Sequence, residues 1–286
     1  MQRSIATVSL AGTLPEKLNA IAAAGFDGVE IFDQDLLDSV RTGTTAAEIR
    51  QRCDDLGLAI LLYQPFRNFE GEPREQFASN MARAQQTFDL MQQLGCRKML
   101  LCSNVSPASS ADFAVQVEDL AAIAETARQS GVEIGYEALA WGAHVSLFRD
   151  AWARVDAVNS PALGIVLDSF HVLARGDRLG AMAGIPPEKI TFVQFADAPW
   201  LNMDIQKWSR HFRCFPAQGA LPLIEFAREL TACGYRGPWS MEIFNDRYSA
   251  QPVTLTAKEG FRSLVWLEEQ HHSARRSAGP LSSATV

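Results

Sequence analysis

Short apolar runs alternate with amphipathic helical stretches along the whole chain. Eight runs have the length and the β-branched content of buried strands, and a helical stretch follows each of them. The runs cover residues 4–10, 28–32, 58–63, 98–103, 132–137, 163–168, 189–197 and 238–244. Eight strand–helix units in a chain of 286 residues predict a (β/α)8 TIM barrel. An open doubly wound sheet is the alternative, but no G-x-G-x-x-G follows the first strand.

The barrel pattern predicts one catalytic domain over residues 1–270. The remaining segment, 271–286, is rich in serine and alanine and carries few apolar residues. This composition predicts a disordered tail. Its two histidines, His271 and His272, are expected to be exposed to solvent and not to bind metal.

Composition narrows the class of protein and its partners. Apolar residues make up 47% of the chain and charged residues 21%, as in ordinary globular proteins. The formal net charge of -7 disfavours nucleic-acid binding, which needs a broad basic surface. No apolar run approaches the roughly 20 residues of a membrane span, and the N-terminal segment lacks a signal-like apolar core. The five cysteines show no CxxC spacing and are expected to be reduced packing thiols, so we expect a cytoplasmic protein.

Four consecutive strand ends carry side chains with oxygen donors. In a TIM barrel these ends face the active site. Three carboxylates would repel one another there unless a positive charge lay among them. A hard divalent cation fits, and oxygen ligands favour Mg, Mn or Co over Zn. One such residue alone could simply bind a backbone group, but four adjacent strand ends together predict a metal site. The expected ligands are Glu137, Asp168, Gln194 and Glu242.

A histidine follows one of these strand ends in the stretch IVLDSFHVL, residues 165–173. His171 comes three residues after Asp168 and should therefore lie near the cation. A single histidine after a strand is often structural, but next to a metal it could act as acid or base or orient a substrate oxygen. We expect His171 to be catalytic.

Two stretches flanked by aromatic residues bring cations to the same face of the barrel. YQPFRNFEG (63–71) follows the third strand and carries Arg67, and WSRHFRCFPAQG (208–219) follows the seventh and carries Arg210 and Arg213. The guanidinium fork suits a planar carboxylate, so we expect a small carboxylate substrate held by Arg67 and Arg210, both with catalytic roles. Glu30 and Asn104 are weaker candidates for binding hydroxyls. The residues expected to bind substrate are Gln64, Arg67, Ser103, Ser209, Arg210 and His211.

These stretches resemble a known family. The chain is similar to the sugar-phosphate isomerase/epimerase-like, or xylose isomerase-like, TIM barrels over essentially all of residues 1–270. Within them, YEALAWG, LDSFH, FVQFADAP, MEIFND, YQPFR and SRHFRCFP look like the bacterial 3-dehydroshikimate dehydratases of quinate and shikimate catabolism. The resemblance implies metal-dependent dehydration of 3-dehydroshikimate to protocatechuate. It also implies that His171 and the loop 208–219, here called the arginine loop, lie in the active site. The metal-binding residues that it implies for one divalent cation are Glu137, Asp168, Gln194 and Glu242.

Two departures from that family bear on the expectations. Many of its members carry a second domain resembling 4-hydroxyphenylpyruvate dioxygenase, and this sequence ends soon after the barrel. We expect catalysis without that domain, and a homo-oligomer is possible. In addition, Pro216-Ala217-Gln218-Gly219 stands where the wider superfamily often has Pro-Gly-x-Gly. An alanine disfavours left-handed backbone, so a different loop geometry is expected at Ala217.

Three other functions compete with dehydration. A sugar or keto-acid isomerase, acting on hydroxypyruvate or an inositol derivative, would share the metal but would form its product without loss of water. An endonuclease-like protein on this fold would need a basic rim and further histidine ligands. A metal-binding protein without catalytic activity would not need arginines among aromatic residues. The arginines favour the dehydratase.

Overall fold

Eight parallel strands close into a barrel in chain order, and the first strand pairs with the last. A computed structural model describes the backbone of residues 1–277 and the side chains of residues 1–273. The predicted TIM barrel is therefore confirmed. The strands are β1 Arg3–Ala6, β2 Gly28–Phe32, β3 Ala59–Phe66, β4 Lys98–Cys102, β5 Glu133–Glu137, β6 Leu163–Asp168, β7 Ile190–Phe195 and β8 Trp239–Met241.

Helices surround the barrel and cover its outer face. None of those in the described part of the chain is long and apolar enough to cross a membrane. The helices are α1 Leu14–Ala24, α2 Asp33–Arg41, α3 Ala46–Asp55, α4 Arg74–Leu94, α5 Phe113–Gln129, α6 Phe148–Val158, α7 Ser169–Ala174, α8 Ile205–Phe212, α9 Leu223–Ala232, α10 Asp246–Ser249 and α11 Val253–Ser277.

Local signals in the sequence set the ends of several helices. Ahead of α1, the Thr13 backbone N–H donates to the Glu16 carboxylate at 2.8 Å, as in a capping box. The same helix ends at Gly25, which adopts left-handed backbone with φ of 102°. Both ends of α1 thus lie at residues that the sequence marks as helix ends: a capping pair at the start and a glycine at the finish.

The structure differs from the expected pattern at two helices. The stretch 205–212 forms α8, where a loop was expected, so part of the arginine loop is helical. The last helix, α11, continues beyond residue 270 to Ser277. His271 on it is buried, with Nε2 3.3 Å from the Thr231 hydroxyl and its ring centroid 5.6 Å from that of Trp239. The predicted exposure of His271 is wrong, while residues 278–286 lie outside the described residues and their disorder stays a prediction.

Strand register brings the predicted metal-binding side chains to one rim. Asp168 on β6 is paired with Gln194 on β7, and Gln194 is paired with Ser240 on β8. On the other side, Glu137 on β5 is paired with Cys102 on β4. Because all strands are parallel, these residues lie at the carboxyl end of the barrel.

Candidate active site

The four strand-end residues lie together in the barrel mouth. Glu137, Asp168, Gln194 and Glu242 are all buried. Possible ligand atoms of Glu137, Asp168 and His171 lie within 4.8 Å of one another, close enough to share a metal ion. The mouth therefore brings several acidic side chains together in a buried place, where their ionised forms are unfavourable without a compensating positive charge.

A buried arginine neutralises part of this acidic cluster. Arg213 Nη1 donates to Asp168 Oδ2 at 2.6 Å and to Glu242 Oε2 at 2.9 Å. The guanidinium lies 4.7 Å from the Phe170 ring centroid, and the Ser209 hydroxyl accepts hydrogen bonds from its Nε and Nη2 at 3.1 and 2.9 Å. The sequence identified Arg213 only as one of the loop cations. Arg213 directly follows α8 and comes four residues after Ser209, and this spacing is the signal that pairs them.

The ionised forms of Glu137 and Asp168 remain disfavoured although Arg213 lies beside the cluster. Burial, followed by repulsion from Asp168 and Glu242, raises the pKa of Glu137 well above its ordinary value. Burial also raises the pKa of Asp168, although Arg213 opposes this shift. Three ionised carboxylates against one guanidinium leave a net charge that one divalent cation would balance.

The donor set fits a hard divalent cation. Glu137 Oε1 and Gln194 Oε1 are buried and have no hydrogen-bond partner among the described residues. An unpaired buried oxygen is unfavourable unless a cation or donor meets it. Carboxylate and amide oxygens are the ligands that such cations take, so the four predicted ligands could hold one metal ion.

His171 has an N–H donor near each of its two ring nitrogens. The Ala140 backbone N–H donates to Nδ1 at 3.1 Å and favours the neutral tautomer with its hydrogen on Nε2, while Arg213 Nη2 lies 3.1 Å from Nε2. Burial, with the charges of Arg213 and Arg210, lowers the pKa of His171 well below its usual value, so the ring is neutral. In that tautomer the hydrogen on Nε2 disfavours metal ligation through this atom and favours donation to a substrate oxygen.

The wall of the cavity combines arginines with aromatic rings. Gln64, Arg67 and Arg210 line it beside His171 and Glu242. The Arg210 guanidinium lies 4.5 Å from the Phe244 ring centroid and 5.5 Å from that of Trp141. Rings of this kind hold a guanidinium in place and keep it available to an anion.

Comparison with known proteins fixes the family. A family model described as a xylose isomerase-like TIM barrel matches residues 18–270. This chain is a xylose isomerase-like TIM barrel.

Relatives of this xylose isomerase-like barrel include curated enzymes. It is 54% identical over 270 residues to the 3-dehydroshikimate dehydratase of Pseudomonas putida, a match that covers 94% of this chain and 42% of the relative. The 3-dehydroshikimate dehydratase of Neurospora crassa is 27% identical, and the match covers 88% of this chain and 87% of that one. The chain thus spans less than half the length of its Pseudomonas relative.

A solved structure shares the same architecture. It is described as a xylose isomerase-like TIM barrel/4-hydroxyphenylpyruvate dioxygenase fusion protein, with a TM-score of 0.94 and 51% identity. The match covers all of this chain and 46% of the fusion protein. The similarity therefore concerns the barrel part of that protein.

Three predicted substrate-binding residues of this xylose isomerase-like barrel are not among those that line the cavity. The Ser103 hydroxyl accepts the Leu139 N–H at 3.0 Å, and the Ser209 hydroxyl holds Arg213. His211 is half exposed beside Asp246, its Nδ1 3.1 Å from the carboxylate, and it lines a different cavity. These side chains support the mouth or face away from it. Asn104 likewise bonds Glu70 and Glu72 instead of facing the mouth.

The loop after β7 is anchored by a buried carboxylate. Asp197 accepts the backbone N–H groups of Gly219 and Leu221 at 3.0 and 2.9 Å. It also lines a groove of about 610 Å³ beside α9. That groove is larger than the mouth, but its buried carboxylate is already paired with backbone donors.

The backbone of Ala217 differs from the expectation. Ala217 has φ of 73°, so the expected departure from left-handed backbone is wrong.

Proposed function

We propose that this chain dehydrates 3-dehydroshikimate to protocatechuate. The observation that carries the proposal is the identity of 54% with the Pseudomonas putida dehydratase across nearly the whole barrel. The match to the Neurospora crassa dehydratase spans most of both chains. It supports the proposal that a chain of about this length is enough for the dehydratase activity. The fold alone would not distinguish this activity from others on the same barrel.

The site chemistry supports a carboxylate substrate that loses water. In 3-dehydroshikimate a ketone lies next to a carbon that bears a hydroxyl, and the neighbouring carbon bears the leaving hydroxyl. Removal of the proton α to the ketone and departure of the β-hydroxyl as water form a dienone. Loss of a ring proton and gain of one on the ketone oxygen then give the aromatic product. When bound, a divalent cation at Glu137, Asp168, Gln194 and Glu242 would act as a Lewis acid toward substrate oxygens.

Residues of the mouth would orient the substrate and its protons. His171 Nε2 and Arg213 Nη2 lie 3.1 Å apart, so a substrate oxygen within reach of a hydrogen on Nε2 would also lie close to the guanidinium. His171 would thus donate at a substrate oxygen. Arg67 and Arg210 line the same cavity and would bind the ring carboxylate, while Gln64 would contact a hydroxyl.

We also propose Mg, Mn or Co as the metal. The four proposed ligands are oxygen donors, which these cations prefer. The nearest thiol, Cys102 Sγ, lies 3.7 Å from Glu137 Oε2, and burial raises its pKa well above the ordinary value. A protonated thiol is a poor ligand. A single catalytic domain over residues 1–270, a cytoplasmic location and a homo-oligomer stay predictions.

The test is ultraviolet detection of protocatechuate. Purified protein freed of metal is mixed with 3-dehydroshikimate, with and without Mg, Mn or Co. We expect absorbance of the aromatic product only with metal and the wild-type site, and none with Asp168→Ala. An isomerised product that retains all its oxygens would refute dehydration and favour the isomerase. Turnover by the metal-free protein would refute the metal site.

A further inference from the structure

A buried carboxylate links four strands beneath the proposed metal site. Glu30 lies on β2 and is fully buried. Its Oε2 accepts Nε2 of Gln64 at 2.8 Å and Nε2 of Gln194 at 2.6 Å. Its Oε1 contacts the Ser240 hydroxyl. The three donors come from β3, β7 and β8.

The hydrogen bond to Glu30 selects one of two orientations of the Gln194 amide. The two ends of an amide group have nearly the same size, so shape alone does not decide which end faces the mouth. Glu30 Oε2 takes the NH2 end, which leaves Gln194 Oε1 buried and without a partner among the described residues. In the flipped orientation, oxygen would face oxygen at Glu30, and hydrogens would point at the carboxylate cluster.

This selection does not depend on whether Glu30 is ionised. Burial, followed by repulsion from Glu242, raises the pKa of Glu30 to about 8. A proton on Glu30 would sit on Oε1 and be donated to the Ser240 hydroxyl. Oε2 would still accept from Gln194.

We propose that Glu30 is a positioning residue that fixes the Gln194 amide with its oxygen toward the metal. The inference rests on the proposed metal-dependent function. Glu30 itself would not touch the metal or the substrate. Partners that orient a metal ligand in this way typically contribute 10- to 100-fold in metal affinity.

The competing explanation is that Glu30 only completes a polar cluster in the barrel. A double-mutant cycle separates the two. If Glu30 acts through Gln194, its removal weakens Co²⁺ binding in the wild-type background but has no further effect once Gln194→Ala has removed the ligand. If its role is only structural, the two effects on affinity add.

The experiment titrates metal-free protein with Co²⁺ and follows its visible absorption spectrum. Glu30→Met removes the acceptor at similar length, and we expect roughly 10- to 100-fold weaker binding and a changed spectrum. Glu30→Gln should restore most of the affinity. Its carbonyl can accept both amides while its NH2 donates to Ser240. Glu70→Met is the matched control, because Glu70 is an equally buried carboxylate that contacts Asn104 and Tyr136 instead.

Thermal melts of the metal-free variants show which are folded. Should Glu30→Met not fold, Glu30→Asp, which withdraws the acceptor by one methylene, is expected to bind more weakly than Glu30→Gln. Wild-type affinity in every folded variant of Glu30 overturns the inference, as does an additive cycle. If the wild-type protein binds no Co²⁺, the metal site itself fails. If Gln194→Ala weakens binding but the Glu30 variants do not, only the positioning role fails.

Discussion

Glu70 gives a prediction about stability that is independent of the metal site. The side chain is buried, and its Oε1 accepts the Asn104 N–H at 2.6 Å and the Tyr136 hydroxyl at 2.8 Å. Burial raises the pKa of Glu70 from 4.5 to about 7, although these hydrogen bonds oppose the shift. The native state therefore binds the Glu70 proton more tightly than the unfolded chain does.

The sign and size of the effect follow from linkage. Between pH 4.5 and about 7, the carboxyl is protonated in the native state and ionised in the unfolded chain. The unfolded chain then binds fewer protons, so the free energy of unfolding falls as pH rises. Glu70 stabilises fully below pH 4.5, and the stability lost by about pH 7 amounts to about 3 kcal/mol.

Glu70→Gln should abolish this pH dependence because its amide does not titrate. Urea unfolding of both proteins from pH 4.5 to 8 gives the difference in free energy at each pH. We expect the variant to gain about 3 kcal/mol relative to wild type across that range. The new NH2 group of the variant takes the place of Glu70 Oε2, which is buried and has no hydrogen-bond partner among the described residues. This change shifts the free energy of unfolding by an amount that does not depend on pH.

The difference between the two proteins isolates Glu70 from other buried carboxyls. The contributions of Glu30, Glu137 and Asp168, which are present in both proteins, cancel to first order. A difference that stays constant with pH, or one that shrinks as pH rises, would refute the raised pKa of Glu70. It would also show that this pocket is better solvated than its burial indicates.

Five substitutions test the rest of the site and the loop. Asp168→Ala should lose stoichiometric metal on desalting; metal analysis that finds one equivalent retained would contradict the ligand set. His171→Asn should keep its metal but lose roughly 10²- to 10⁴-fold in kcat; loss of metal instead would make His171 a ligand. Arg210→Lys and Arg67→Lys should each lower kcat/KM for 3-dehydroshikimate by roughly 10- to 100-fold, because lysine keeps the charge but not the fork. Wild-type kinetics in both would place the carboxylate elsewhere. Ala217→Gly should raise the free energy of unfolding by about 0.5–1 kcal/mol by relieving the left-handed backbone; unchanged urea midpoints would argue against strain there.

The barrel and its strand-end donors could be predicted because both depend on short-range patterns. Each buried run marks one strand, and parallel strands end at a common rim. The positions of Glu137, Asp168, Gln194 and Glu242 at that rim therefore follow from the sequence. Their role as ligands stays a prediction.

The roles of the residues around them could not be assigned from the sequence, because the direction of each side chain depends on α8 and on the loops. Ser209 and Arg213 lie four residues apart, so one side of the turn carries both into the mouth. His211 lies between them in sequence and faces Asp246. Without the helix, the three residues look like one polar cluster. The sequence suggested Glu30 only as a weaker candidate for binding hydroxyls, because the partners that it contacts lie 34, 164 and 210 residues away.

The pairing of β1 with β8 has a consequence for synthesis on the ribosome. Arg3 pairs with Trp239, so a nascent chain cannot close the barrel until Trp239 has emerged from the ribosome. Until then β1 presents an open edge that could pair with another chain. Chaperone demand should therefore peak before β8 emerges, and slowing elongation ahead of β8 should increase aggregation more than slowing it afterwards.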